Sequence, residues 1–221
     1  VTIRNHERDM KPIYVRAAGR NAGPCRPWMP WDHKLASGDA VLYAADPTPE
    51  DLLIEAVTGS SIIHAGLLAW NSDEDRWEIV DTRQWHGARR TPLYDAVCKN
   101  PGHWLLFHAD CNRWPEFNRR LCVEMADRFV SRRYGWVSLI RDGLHDLPLI
   151  GSLVPAGQLD DDPDRGRLPF CSELVLYCTL FGGGVDAIPN LPIQFCEPKH
   201  IAQSPFWQYS GTFWPDADEG N

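Results

Sequence analysis

The chain has 221 residues, with 22 Lys and Arg against 30 Asp and Glu and a formal net charge of −8. That balance excludes a general nucleic-acid surface, which must be basic. With 43% hydrophobic and 24% charged residues, the composition is that of a soluble globular protein, and its apolar runs are too short for an integral membrane segment.

Seven cysteines, at 25, 98, 111, 122, 171, 178 and 196, are an odd number at irregular spacing, which excludes a complete disulfide framework. Cys171 and Cys178 would stand roughly 10 Å apart along one helix, too far to bridge. There is no C-x-x-C and no H-x-x-x-H, so no metal and no other cofactor is expected. The acidic run Asp160-Asp161-Asp162-Pro163-Asp164 lacks the glycine and distal glutamate of an EF-hand loop. No N-terminal stretch joins basic residues to an apolar run. Reduced thiols and a cytoplasmic location are the expectation, with export left open because the sequence starts at Val1.

In chain order, residues 1–36 read as an irregular arm rich in Pro, Gly and Arg. Ser37-Gly38-Asp39 is a turn feeding a strand from Ala40 to Ala44. Thr48-Pro49-Glu50-Asp51 reads as the capped start of a helix that ends at Gly59. Ser61 to Trp70 reads as a buried strand in which Ile62, His64, Gly66 and Leu68 share one face. After a polar turn, Trp77 to Thr82 is the next strand, with Trp77, Ile79 and Asp81 on one face. Such a hairpin sets His64 and Asp81 on the same side of a sheet. Trp104 to His108 is a further strand, and Phe117 to Arg132 is the clearest helix, striped by Phe117, Leu121, Cys122, Met125, Phe129 and Val130. Arg89-Arg90 and Arg132-Arg133 read as solvated pairs. Residues 141–168 form a long Gly/Pro/Asp-rich insertion suited to a lid, and residues 185–221 a Pro- and aromatic-rich extension.

The stretch from Pro169 to Cys178 organises the rest. Pro169 breaks what precedes it, Leu174, Val175 and Cys178 recur at helical spacing, and Gly182-Gly183-Gly184 stops the helix. Cys171 falls in its first turn, where unsatisfied N–H groups and the helix dipole favour a thiolate. By spacing alone, Cys171 fits core packing as well as nucleophilic chemistry. A cysteine hydrolase needs a thiolate, an imidazole that shuttles its proton and a polar group that orients the imidazole. Cys171, His64 and Asp81 are candidates for those roles.

Cys171-Ser172-Glu173-Leu174-Val175 resembles the C-S-x-L-V nucleophile motif of NlpC-like cysteine peptidases, and Tyr134-Gly135-Trp136 resembles their Y-x-W segment. The histidine strand Ser61-Ile62-Ile63-His64-Ala65-Gly66-Leu67-Leu68 precedes the cysteine, as in the circularly permuted, YiiX-like branch that includes relatives of lecithin retinol acyltransferase. Glu78-Ile79-Val80-Asp81-Thr82 is similar to that branch's V-I-E-A strand end, and Ser37-Gly38-Asp39 to its G-D-I opening. Phe170 stands where the branch often has Tyr, the acid is Asp rather than Glu, and the 141–168 insertion is longer than usual.

The resemblance, over about residues 37–182, implies an α+β, papain-like fold with an antiparallel sheet packed against the nucleophile helix. The expected catalytic domain is 37–184. The resemblance further implies catalysis by Cys171, His64 and Asp81 through a thioester, with Tyr134 as a second oxyanion donor. The expected substrate is a peptide or acyl-amide, including cell-wall stem peptides. A thiol acyltransferase or lipid hydrolase, or a non-catalytic binding module, are the alternatives.

Overall fold

The computed structural model describes residues 14–17, 26–27, 35–45, 60–83, 87–99, 102–130 and 168–214. The helix expected from Thr48, the segment bearing Tyr134 and all but the last residue of the 141–168 insertion lie outside the described residues.

Among the described residues, eight strands form one antiparallel sheet: β1 (Tyr14–Ala17), β2 (Arg26–Pro27), β3 (Ala40–Ala45), β4 (Ile62–Asn71), β5 (Arg76–Arg83), β6 (Gly87–Pro92), β7 (Gly102–Ala109) and β8 (Trp207–Trp214). Their order is β2-β1-β8-β7-β3-β4-β5-β6. Among the described residues the α-helices are α1 (Leu93–Lys99), α2 (Arg119–Asp127), α3 (Cys171–Tyr177), which runs on into a π-helical turn at Cys178–Gly182, and α4 (Pro198–Gln203).

Both faces of the sheet are covered, which is why its central strands carry apolar residues at nearly every position. Ala40, Leu42, Ala65, Leu67 and Val80 turn to one face, where Cys122 and Ala126 of α2 and Leu174, Val175 and Tyr177 of α3 pack on them. Val41, Leu68 and Ile79 turn to the other, against Leu93, Ala96 and Val97 of α1 and the buried Trp104. The indole of Trp104 donates to the Ala96 carbonyl at 3.0 Å, so its one polar atom is satisfied inside that layer.

Three expectations change. The helix read over 117–132 starts at Arg119 and, as a regular α-helix, ends at Asp127, because Asn118 caps it by accepting from the Leu121 N–H. Phe117 therefore precedes the helix and packs edge-on against Phe206, while Leu121 faces outward. The second change concerns domain limits. The C-terminal stretch read as an extension supplies β8, inserted between β1 of the N-terminal arm and β7 of the central sheet. Residues 14–17 and 207–214 thus belong to the same sheet as β3 to β7. Finally, Arg89 and Arg90 are not a solvated pair. Arg90 joins buried Glu78 at 3.1 Å to Asp127 of α2 at 2.8 Å, tying the sheet to the helix, and Arg89 faces Asp81.

Candidate active site

Helix α3 begins abruptly. The backbone N–H of Phe170 donates to the Glu173 carboxylate at 2.8 Å, and the Leu174 N–H closes the first helical bond onto the Phe170 carbonyl at 2.7 Å. The Ser172 hydroxyl donates to the Cys196 carbonyl at 2.5 Å, so the stretch after α3 also pins its start. Ser172 through Tyr177 are all buried, whereas Cys171 keeps partial access. The first N–H groups of the helix have no intrahelical acceptor, and that of Ser172 donates to the Cys171 sulfur.

His64 comes from β4, beside an irregularity. Tyr43 of β3 pairs with His64 but Ala44 pairs with Ile62, leaving Ile63 as an extra residue. Such a bulge bends a strand and re-aims its side chains. The β4–β5 ladder runs from Asn71 only as far as Gly66, opposite Asp81. Two residues further along β4, His64 lies on the face that Gly66 and Asp81 share. Its Nε2 meets the Asp81 carboxylate at 2.8 Å. Its ring lies edge-on to Trp104, with centroids 6.3 Å apart.

Gly66 makes this reach feasible. A Cβ there would fall 2.5 Å from the Ile79 Cγ2 methyl, 3.1 Å from the Val80 carbonyl and 3.3 Å from the Asp81 Cβ. Only a residue without a side chain lets Asp81 lie flat across β4 toward the imidazole.

The imidazole also hydrogen-bonds the Cys171 thiol. With Nε2 given to Asp81, Nδ1 is the nitrogen left for the sulfur. Burial alone would depress the His64 pKa, but the Cys171 thiolate and then Asp81 raise it to about 9. Burial would likewise push the thiol up. The His64 imidazolium, with N–H donors from Ala65 and Ser172, instead holds Cys171 below the ordinary thiol value. The pair is therefore poised as thiolate and imidazolium. The other buried thiols go the opposite way: burial pushes Cys122 up to about 12, Cys196 to about 11 and Cys178 well above its ordinary value.

Asp81 is itself buried. Burial favours its neutral form, but the bond from His64 and the nearby Arg83 hold its carboxyl below the usual range. One oxygen takes His64 and the Arg83 Nε at 3.0 Å, and the other takes the Arg89 Nε at 3.3 Å. Three of the four residues singled out from sequence, Cys171, His64 and Asp81, are thus brought together; Tyr134 lies outside the described residues. The two arginines were missed. Arg83 was within reach of sequence reasoning, two residues beyond Asp81 on the same strand face. Arg89 needed the β5–β6 pairing, which sets it opposite Asp81.

No family model and no curated protein matches the chain. Among solved structures it is similar to one described as the metalloprotein yiiX from Escherichia coli O157:H7. The TM-score is 0.55 at 13% identity, over 83% of this chain and the whole of the other. That likeness is one of fold.

Proposed function

We propose that the chain is a cysteine hydrolase of papain-like architecture in the permuted, YiiX-like arrangement, cleaving an amide bond through a thioester. The observation that carries this reading is the single imidazole bonded at once to Asp81 at 2.8 Å and to the Cys171 thiol. Either contact alone is commonplace. Together they make a nucleophile, a proton shuttle and an orienting acid.

In the proposed reaction the Cys171 thiolate attacks the substrate carbonyl carbon, forming a C–S bond as the carbonyl electrons move to oxygen. The resulting oxyanion is met by the N–H of Cys171, at the open start of α3, with Tyr134 as a second donor on the sequence resemblance. His64 gives its proton to the leaving amine as the C–N bond breaks. It then takes a proton from water, which attacks the thioester, and returns it to the departing sulfur. Asp81 keeps Nε2 protonated, so that Nδ1 always faces the chemistry. Among the described residues no group of three or more His, Cys, Asp or Glu side chains is arranged to hold a metal ion.

The test is trapping the acyl-enzyme. The protein is mixed with a panel of short peptide amides and acyl esters, quenched in acid and weighed intact. The proposal expects a transient acyl adduct on Cys171 that Cys171→Ala abolishes and water discharges. Discharge only to an added amine or alcohol would make it an acyltransferase. No adduct with any member of the panel would favour a binding module.

A further inference from the structure

His64 ends a row of side chains that crosses four strands. In register, His64 of β4 pairs with Tyr43 of β3, Tyr43 with Trp104 of β7, and Trp104 with Phe213 of β8. Direct partners share a face of the sheet, and on this one Trp104 and Phe213 are fully buried. The indole of Trp104 reaches across β3. Its ring centroid is 5.0 Å from that of Tyr43 and 6.3 Å from that of His64, and it stands at 84° to the imidazole. It is also pinned from behind. Its Nε1 donates to the Ala96 carbonyl of α1 at 3.0 Å, and Leu93, Ala96 and Val97 of that helix pack in the same layer. A rigid aromatic wall therefore stands beside the imidazole.

The chemistry needs such a wall at one stage above all. In the resting site two bonds fix the His64 ring: Nε2 to Asp81 at 2.8 Å, and the Cys171 sulfur at the other nitrogen. The second bond joins opposite charges and is strong. Acylation removes it. Once His64 has given its Nδ1 proton to the leaving group, Nδ1 carries only a lone pair, and a thioester sulfur has neither a proton nor a charge to offer it. One hydrogen bond at one end leaves a ring able to pivot. Yet Nδ1 must still take a proton from the water that discharges the thioester, and misaim at that step is costly.

We propose that Trp104 is a positioning residue for the second half of the reaction, holding the His64 ring in its working orientation while Cys171 is acylated. Asp81 then anchors one end of the imidazole and Trp104 stops it from turning about that anchor. This rests on Cys171 as nucleophile and His64 as proton shuttle.

Two probes of Cys171 separate the two halves. Iodoacetamide reads the resting pair: the thiolate forms one S–C bond and iodide leaves. With p-nitrophenyl acetate the thiolate takes the acetyl group as nitrophenolate leaves. Water then attacks the thioester, a proton passes to Nδ1, the C–S bond breaks, and acetic acid departs from a restored thiolate and imidazolium. Intact mass follows the acetyl adduct. In Trp104→Leu the adduct should discharge about three- to tenfold more slowly, the size of one aromatic contact, while the iodoacetamide rate stays close to that of the parent. Trp104→Phe, which keeps an aromatic edge, should recover most of the discharge rate. Unchanged discharge in Trp104→Leu overturns the assignment. So does an equal slowing of both reactions, which marks a residue that only supports the fold. If Trp104→Leu does not fold, the unmodified protein decides. With Cys171 capped by iodoacetamide, nitrogen-edited NMR should show His64 in one ring orientation with its Nε2 proton retained, and averaging or loss of that signal overturns the proposal equally. Absence of any acetyl adduct in the unmodified protein would instead remove the nucleophile reading.

Discussion

Replacing Gly66 by alanine should damage both the fold and the site, through one added methyl group. The methyl carbon would lie 2.5 Å from the Ile79 Cγ2 and 3.3 Å from the Asp81 Cβ. The first is about an ångström inside the ~3.5 Å at which carbon atoms pack comfortably. Ile79 is fully buried, so it cannot swing away into solvent. Overpacking of this kind costs about 1–3 kcal/mol. Alanine recovers roughly 0.5–1 kcal/mol of backbone entropy in an extended conformation, so the net loss is at most about 2.5 kcal/mol. For a chain of this length that lowers the melting temperature by up to about 10 °C. The part of the strain relieved by moving Asp81 lengthens its bond to His64, so the iodoacetamide labelling rate of Cys171 at pH 6.5 should fall as well. Calorimetry and timed mass-spectrometric labelling read the two effects. A variant that melts and labels like the parent would refute the claim that an absent side chain creates the room for Asp81.

Changing Asp81 to Asn removes contributions that raise the His64 pKa, so the alkaline limit of Cys171 chemistry should drop below about 9, read from the pH dependence of turnover or labelling. Asp39→Asn should cost about 3–5 kcal/mol, because this buried carboxylate accepts from His108, Arg119 and the N–H groups of Ala36 and Ala109; denaturant titration reads the loss, and Cys171 should stay reactive wherever the variant remains folded. Stability should also follow pH in two opposite senses, checked by melting temperature. His64, raised in the folded state, contributes fully below about 6.5 and loses that contribution as pH rises through about 9. Asp81 and Glu78, lowered in the folded state, contribute above the ordinary carboxylate range and lose it as pH falls below that range.

Much of the central sheet was legible because β3, β4, β5 and β7 carry apolar residues on a strand period. The shared face of His64 and Asp81 follows from that period alone. What escaped had no such signal. Strand β6, Gly-Ala-Arg-Arg-Thr-Pro, has no apolar alternation; it is a strand because its arginines find Asp81, Glu78 and Asp127. Helix α1 has seven residues, too few for a helical stripe to stand out. Strand β8 looked like tail because its aromatic residues are interrupted by Ser210, Gly211 and Thr212, and nothing local says that β7 is waiting for a partner. The arginine clamp on Asp81 is likewise a product of strand pairing. Residues distant in sequence meet there only once the register is set.

The most direct measurement is the iodoacetamide labelling rate of each cysteine between pH 5 and 10, in the parent protein and in His64→Ala. Cys171 should label fastest at neutral pH, with a rate that persists below the ordinary thiol range. Without His64, burial should prevail and push the Cys171 thiol up, so the rate at pH 6.5 should fall steeply. A Cys171 that reacts no faster than Cys98 or Cys111, or one indifferent to the loss of His64, would contradict the account.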